Sequence, residues 1–139
     1  MLTVDSIERG VVLDHIKAGK SMDIYRYLKL ADLDCSVAII KNVKSNAMGR
    51  KDIIKIEDDI DIDLDVLGFV DENITVNIID GGKIIEKKKL SLPKRIRGVI
   101  ECVNPRCITS TEPEVVHEFK LVDEKHKKYR CVYCEQEWK

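Results

Sequence analysis

The sequence predicts an α+β fold in two parts: an N-terminal α/β sandwich, a mostly antiparallel sheet with helices on one face, and a small all-β C-terminal module. Three observations predict it. Runs rich in isoleucine and valine recur at strand length through the first ninety residues, interrupted by an amphipathic helical pattern. Four cysteines gather in the last third as two close pairs, Cys102 with Cys107 and Cys131 with Cys134. Between these regions, Leu90-Ser91-Leu92-Pro93 ends in a residue that lacks a backbone donor and restricts its predecessor, so a sheet should stop there. The expected boundaries are residues 1–93 and 94–139.

Taken in order, Thr3 to Ile7 and Val11 to Ile16 read as extended, with a bulge or turn at Arg9-Gly10. From Lys20 to Ala31, the residues Ile24, Tyr27, Leu28 and Ala31 recur at helical spacing, with Ser21 as the expected N-cap. Cys35 to Val43 is almost continuously apolar and reads as a buried strand, with the Cys35 thiol packed as a small hydrophobe. Turn residues 45–49 precede an alternating segment in which Ile54 and Ile56 share one face. Lys51, Ile53 and Lys55 share the other, and the two ammonium-bearing residues stand about 13 Å apart along the strand. That is about the length of an extended nucleoside triphosphate, although a solvated strand face explains the same spacing.

The acidic text 58–71 fails as a calcium loop. Counting from Asp59, the sixth position is Leu64 instead of glycine and the twelfth is Val70 instead of glutamate. A short helix built around Leu64 and Leu67 is expected there. Ile74 to Ile79 and Ile84 to Leu90 then form a hairpin joined by Asp80-Gly81-Gly82-Lys83, with Asn77 and Ile79 on one face. In the C-terminal part, Val115 to Val122 and Lys127 to Val132 read as two strands, the second delivering Cys131 to its cluster.

Two cysteine pairs on two turns can bring four thiolates to the corners of a tetrahedron, the geometry zinc accepts from sulfur. A pair of disulfides is the alternative, but nothing else in the chain looks secreted, and reducing compartments favour thiolates. Four cysteine ligands leave no corner open for water or substrate, so the expected Zn²⁺, one per chain, is structural.

Charged residues make up 35% of the chain with a net charge of −1. The first 93 residues hold 14 cationic and 17 acidic side chains and the remainder 10 and 8, so neither part carries the basic excess of a nucleic-acid binder. Aromatic residues are 5%, too few for base-stacking platforms. With no signal peptide and no apolar run near the ~18 residues a bilayer demands, the expectation is a cytoplasmic protein with no membrane or nucleic-acid partner. No nucleophile–base pair, open metal site or phosphate loop is evident, so the chain reads as no enzyme. A zinc-ribbon nucleic-acid-binding protein is the alternative, resting on Lys125, Lys127, Lys128 and Arg130, which Asp123 and Glu124 dilute. Taken alone, Asp14-His15 reads as a surface hydrogen-bonding pair.

Over essentially its whole length the sequence resembles the regulatory chain of aspartate carbamoyltransferase. The resemblance is carried by Arg9-Gly10-Val11-Val12-Leu13-Asp14-His15-Ile16, then by 48–57 (MGRKDIIKIE), Thr75-Val76-Asn77, Ile79-Asp80, Ser91-Leu92-Pro93 with Arg95-Ile96, and the cysteine quartet. It implies a nucleotide-binding domain for CTP, ATP and UTP effectors that pairs with its twin as a regulatory homodimer. It also implies a zinc domain that docks on a separate catalytic chain, so that regulatory dimers bridge catalytic trimers in pyrimidine biosynthesis. Carried over residue by residue, the effector pocket would use Ser6, Ile7, Val12, Asp14, His15 and Lys51. Lys55, Asn77, Ile79, Ile84 and Lys87 would complete it. Gly82 departs from the family, which often presents an aromatic side chain there. The chain also begins near Leu2-Thr3-Val4, without the longer arm that some members use in cooperation between effectors.

Overall fold

The computed structural model describes residues 6–138. The chain divides into two compact units between Ser91 and Leu92. The first contains β1 (Gly10–Lys17), α1 (Ser21–Tyr27), a 3-10 turn (Leu30–Asp32), β2 (Val37–Ser45), β3 (Gly49–Ile56), α2 (Leu64–Val70), β4 (Thr75–Asp80) and β5 (Lys83–Lys89). Every neighbouring pair in its sheet is antiparallel, in the order β2-β3-β1-β4-β5. The path β1-α1-β2 leaves room for β3 between its two strands, and β3-α2-β4 leaves room for β1, the split β-α-β arrangement.

Strand alternation decides which face the helices cover. Val11 and Leu13 from β1, Ile54 and Ile56 from β3, and Val76 from β4 point into a core shared with Ile24 of α1 and Leu67 of α2. Burying each of these side chains contributes about 1.5–3 kcal/mol. The opposite face of the sheet carries Val12, Asp14, Ile53, Lys55 and Asn77 and remains open as a groove.

Several expectations change in the structure. Thr3 to Asp5 lie outside the described residues, and Ser6 and Ile7 are not in a strand. The expected helix to Ala31 stops at Tyr27, because Lys29 adopts a left-handed conformation (φ 55°) and the chain continues as a 3-10 turn. Ser21 is the first helical residue and is buried, while Lys20 holds the cap position without a side-chain bond. The apolar run predicted as a buried strand begins two residues later as β2. It is an edge strand, half-buried, because only β3 pairs with it. Cys35 is likewise half-buried against the core. The short helix around Leu64 and Leu67 forms as α2, where the Asp63 carboxylate accepts from the N–H groups of Asp65 (3.0 Å) and Val66 (3.3 Å) as its N-cap.

The second unit is a three-stranded sheet in the order β6-β7-β8, made of β6 (Arg95–Arg97), β7 (Glu118–Asp123) and β8 (Lys128–Cys131), with a single helical turn, α3 (Ile108–Thr111). The sequence pattern anticipated β7 and β8 but not β6, whose three residues are too few to show alternation. Ile96, Phe119 and Tyr129 are buried, and the Tyr129 hydroxyl donates to the Pro93 carbonyl at 2.7 Å. Among the described residues, no helix is long and apolar enough to cross a membrane.

Candidate functional site

Two constellations stand out, one in each unit. In the second, the chain leading into α3 supplies Cys102 and, at the helix N-cap, Cys107, while the end of β8 and the turn after it supply Cys131 and Cys134. All four sulfurs lie within 4.8 Å of one another. The Cys102–Cys134 separation is 3.6 Å and the Cys107–Cys131 separation 3.7 Å. A disulfide would need about 2.05 Å. Tetrahedral sulfur ligands at about 2.3 Å from zinc stand about 3.8 Å apart, so the cluster fits a metal ion.

The surroundings hold this arrangement in place. The Thr109 hydroxyl donates to Cys107 Sγ at 3.1 Å, and the Cys102 N–H donates to His117 Nδ1 at 2.9 Å. Burial pushes the Cys102 thiol up to about 12. Burial also opposes ionisation of Cys134, but the Gln136 N–H, the Asn104 side chain and the neighbouring cysteines bring that thiol down to about 7. A cation at the centre would supply the charge that four crowded thiolates need. Sequence reading singled out the four cysteines and missed Thr109 and His117, which brace them. Thr109, two residues beyond Cys107 and buried in an otherwise exposed turn, was the accessible signal.

In the first unit, an open groove of ≈ 390 Å³ lies on the helix-free face of the sheet. Eight of the eleven residues expected in an effector pocket line it: Ser6, Ile7, Val12, Asp14, Lys55, Asn77, Ile79 and Ile84. Ile53 and Gly82 line it as well. The other three stand close by. Lys51 reaches Asp14, Nζ to Oδ1 at 2.9 Å, and Lys87 faces Asn77 across the β4–β5 ladder. The His15 ring meets the Thr75 hydroxyl, Nδ1 to Oγ1 at 3.1 Å. Thr75 went unnoticed in the sequence, although it shares strand parity with Asn77.

Three bulges shape this site. In β1, Leu13 pairs with Ile54 and Ile16 with Asp52, so Asp14 and His15 together oppose a single residue of β3. His15 takes φ 59°, and its N–H donates to Asp14 Oδ1 at 2.6 Å. Both side chains thereby escape the core, which strict alternation would forbid to one of them. In β5, Ile78 pairs with Glu86 and Ile79 with Ile84, so Ile85 is the extra residue. That shift brings Ile84 to the face of Lys87 despite an odd separation. The third bulge, in β2, falls between Ile40 and Val43 beside buried Asp52. The Asp52 carboxylate accepts the N–H groups of Asn42 (2.8 Å), Gly19 (3.1 Å) and Ser21 (3.2 Å).

Electrostatics follow the geometry. Burial pushes the Asp14 carboxyl up, but the Lys51 ammonium and the His15 N–H outweigh it and hold the group below the usual carboxylate range. Asn77 is 8% exposed, and its Oδ1 has no hydrogen-bond partner among the described residues. A buried acceptor left unpaired at the wall of a groove is costly unless something donates to it.

Comparison with known proteins adds to this geometry. The family model described as aspartate carbamoyltransferase regulatory chain, allosteric domain, matches residues 2–91, and the one described as its metal binding domain matches residues 94–139. The aspartate carbamoyltransferase regulatory chain of Clostridium acetobutylicum is 52% identical over 139 residues, spanning 100% of this chain and 95% of that protein. The protein of the same name from Clostridium tetani is 51% identical over 140 residues, covering 100% and 97%. That of Bifidobacterium longum is 51% identical over 138 residues, covering 99% of each. A sheet with an open groove, a cysteine cluster with metal-ligand geometry and two family models over nearly every residue converge, and the chain belongs to the aspartate carbamoyltransferase regulatory chains, a family of non-catalytic subunits with an allosteric and a metal-binding domain.

Proposed function

We propose that the groove binds nucleoside triphosphate effectors, CTP, ATP and UTP, and that the second unit holds one Zn²⁺ and docks on the catalytic chain. Regulatory dimers would then bridge catalytic trimers in the cytoplasm and adjust the flux into pyrimidine biosynthesis. The observation carrying the effector reading is the unpaired, buried Asn77 Oδ1 in a groove that also offers cations and apolar walls. Val12, Ile79 and Ile84 would pack against the base, and Asp14, an acceptor-only carboxylate, suits ribose hydroxyls. Lys51 and Lys55 would reach ribose and base, while His15 and Lys87 would give charge-assisted hydrogen bonds to phosphates. Gly82 lines the groove with φ 74° and adds no side chain to it, which would leave the base end able to take bases of either size.

Dimerisation is supported by the two sheet edges. β5 carries Lys83, Lys87, Lys88 and Lys89, which discourage strand addition, whereas β2 begins with Val37-Ala38-Ile39-Ile40. A second copy would therefore pair along β2. Zinc is supported by the all-sulfur donor set and by the sulfur–sulfur separations. The allosteric effect requires only that an effector bind the two quaternary states of the assembly with different affinity, a coupling of about 1–3 kcal/mol that is reciprocal between sites.

The test is titration calorimetry of CTP and ATP into the chain, alone and mixed with its catalytic partner. Saturable binding that weakens strongly in Asn77→Ala is expected. A chain that ignores both nucleotides refutes the reading.

A further inference from the structure

The free edge of β2 carries an ordered charge pattern. Asp32 and Asp34 precede the strand, Val37-Ala38-Ile39-Ile40 forms its first half, and Lys41 and Lys44 lie in its second. Along the chain the edge is acidic, then apolar, then basic. The two acids and two lysines are exposed, whereas the apolar four are half-buried with only β3 beside them. None of the four charged side chains makes an ion pair among the described residues. The basic end also carries a repulsion. Lys44 stands directly opposite Arg50 on β3, and like charges so placed are destabilising. Arg50 donates to the Asn42 carbonyl at 3.2 Å, and among the described residues no carboxylate joins either cation. An anion brought from outside would relieve both.

The backbone of this edge is arranged to receive a strand. The Glu57 N–H donates to the Ser36 carbonyl at 2.9 Å, so every second residue from Ser36 turns its polar groups to β3. Those of Val37 and Ile39 turn outwards. Two copies related by a two-fold axis through the sheet present the same edge to each other, and their strands run antiparallel. The front of one β2 then lies against the rear of the other. Under that operation the order acidic, apolar, basic complements itself: apolar covers apolar, and each acidic end meets a basic one. With the axis near Ile39, Asp34 and Lys44 stand five residues to either side, and the β2 bulge takes up one of them. Lys44 therefore arrives within a residue of Asp34 of the second copy, with Asp32 just beyond. A head-to-tail contact has no such match, because β5 would set four lysines and one glutamate against Lys41 and Lys44.

We infer that the interface between two copies of this chain is latched at both ends, by Asp32 and Asp34 of one copy against Lys44 and Arg50 of the other. The inference rests on the pairing along β2 proposed above and deepens it. The charges select an antiparallel twin as the occupant of the edge and close the pair, so that chains do not add end to end.

The experiment is sedimentation equilibrium of the intact metal-loaded chain at low and high salt. It compares the parent with Lys44→Glu, with Asp34→Lys, with the double swap that combines them, and with Lys83→Glu on the β5 edge. The parent should dimerise, more weakly at high salt. Each single reversal acts at both ends of the pair and should weaken the low-salt dimer roughly tenfold. The double swap should return it to within about threefold of the parent, and Lys83→Glu should leave it unchanged. Recovery in the double swap also excludes misfolding as the cause of the single defects. Single reversals that dimerise as the parent does, or a double swap no stronger than either single, overturn the latch while pairing along β2 stands. A parent that stays monomeric at every concentration overturns the pairing and the latch together.

Discussion

Removing the metal should unfold one unit of this chain and spare the other. At roughly 0.05–0.15 kcal/mol per residue, a fold the length of the second unit has only about 2–7 kcal/mol of net stability to lose. Structural zinc in comparable peptides contributes about 10–16 kcal/mol at neutral pH. The metal term exceeds the whole margin, and its loss also leaves four sulfurs crowded within 4.8 Å with no cation between them. The first unit contains none of these ligands, and its core of strand and helix residues is complete without them. The assay has a natural reporter. Trp138, the sole tryptophan, is tied to β8 by its N–H to the Tyr129 carbonyl at 2.9 Å. After chelation, Trp138 emission should shift to that of solvated indole, and amide protection in β7 and β8 should vanish while β1, β3 and β4 stay protected. Binding to the catalytic chain should be lost in the same step. Retained Trp138 emission and retained β7–β8 protection, with elemental analysis finding the metal gone, would refute the reasoning.

Other outcomes follow from single residues. Asp52→Asn keeps one acceptor oxygen but turns an amide towards backbone N–H donors, and should cost the first unit about 2–4 kcal/mol in urea denaturation. Gly10→Ala would place a Cβ 2.0 Å from the Ile56 carbonyl oxygen at φ 149° and should cost about 3–5 kcal/mol, whereas Gly49→Ala, with φ 77° and open space, should cost about 1–2 kcal/mol by the same melt. Asp63→Ala removes the α2 cap and should cost about 1 kcal/mol, read as faster amide exchange at Asp65 and Val66. Asp14 titrates below its ordinary value when folded, so its contribution is complete above the usual carboxylate range and is lost as pH falls through the lower folded value. Acid unfolding of Asp14→Asn should therefore show a shallower pH dependence than that of the parent, with Asp52, also held below the ordinary carboxylate value, still contributing to the slope.

Most of the fold was legible because its signals are local. Alternation in β3 and β4, the Gly81-Gly82 hairpin and the cysteine spacing each involve residues close in sequence. β2 was misread as buried because a continuous apolar run has the same text whether another sheet layer or another molecule covers it. The early end of α1 depends on Lys29 adopting φ 55°, a conformation that its residue type does not advertise. β6 pairs three residues with β7, a contact between positions more than twenty apart that no local pattern records.

The groove was legible for a different reason, and its hidden part lies in the bulges. A reader applying strict period two would place Asp14 and His15 on opposite faces, and Ile84 and Lys87 likewise. In each case one unpaired residue reverses the alternation, so that both members reach the same side. Nothing in Asp14-His15 or in Ile84 to Lys87 announces a bulge, because bulge formation depends on the partner strand. The resemblance supplied these residues; the register explains why they can act together. Asp52 links the two accounts. Its buried carboxylate gathers N–H groups from Gly19, Ser21 and Asn42, fixing the β2 bulge on one side of β3 and the chain that leaves β1 on the other. Lys51, the residue before it in β3, then projects to the opposite face and meets Asp14. A single buried acid thus holds the backbone from which the groove's charged residues project, and loosening it should disturb ligand binding from the far side of the sheet.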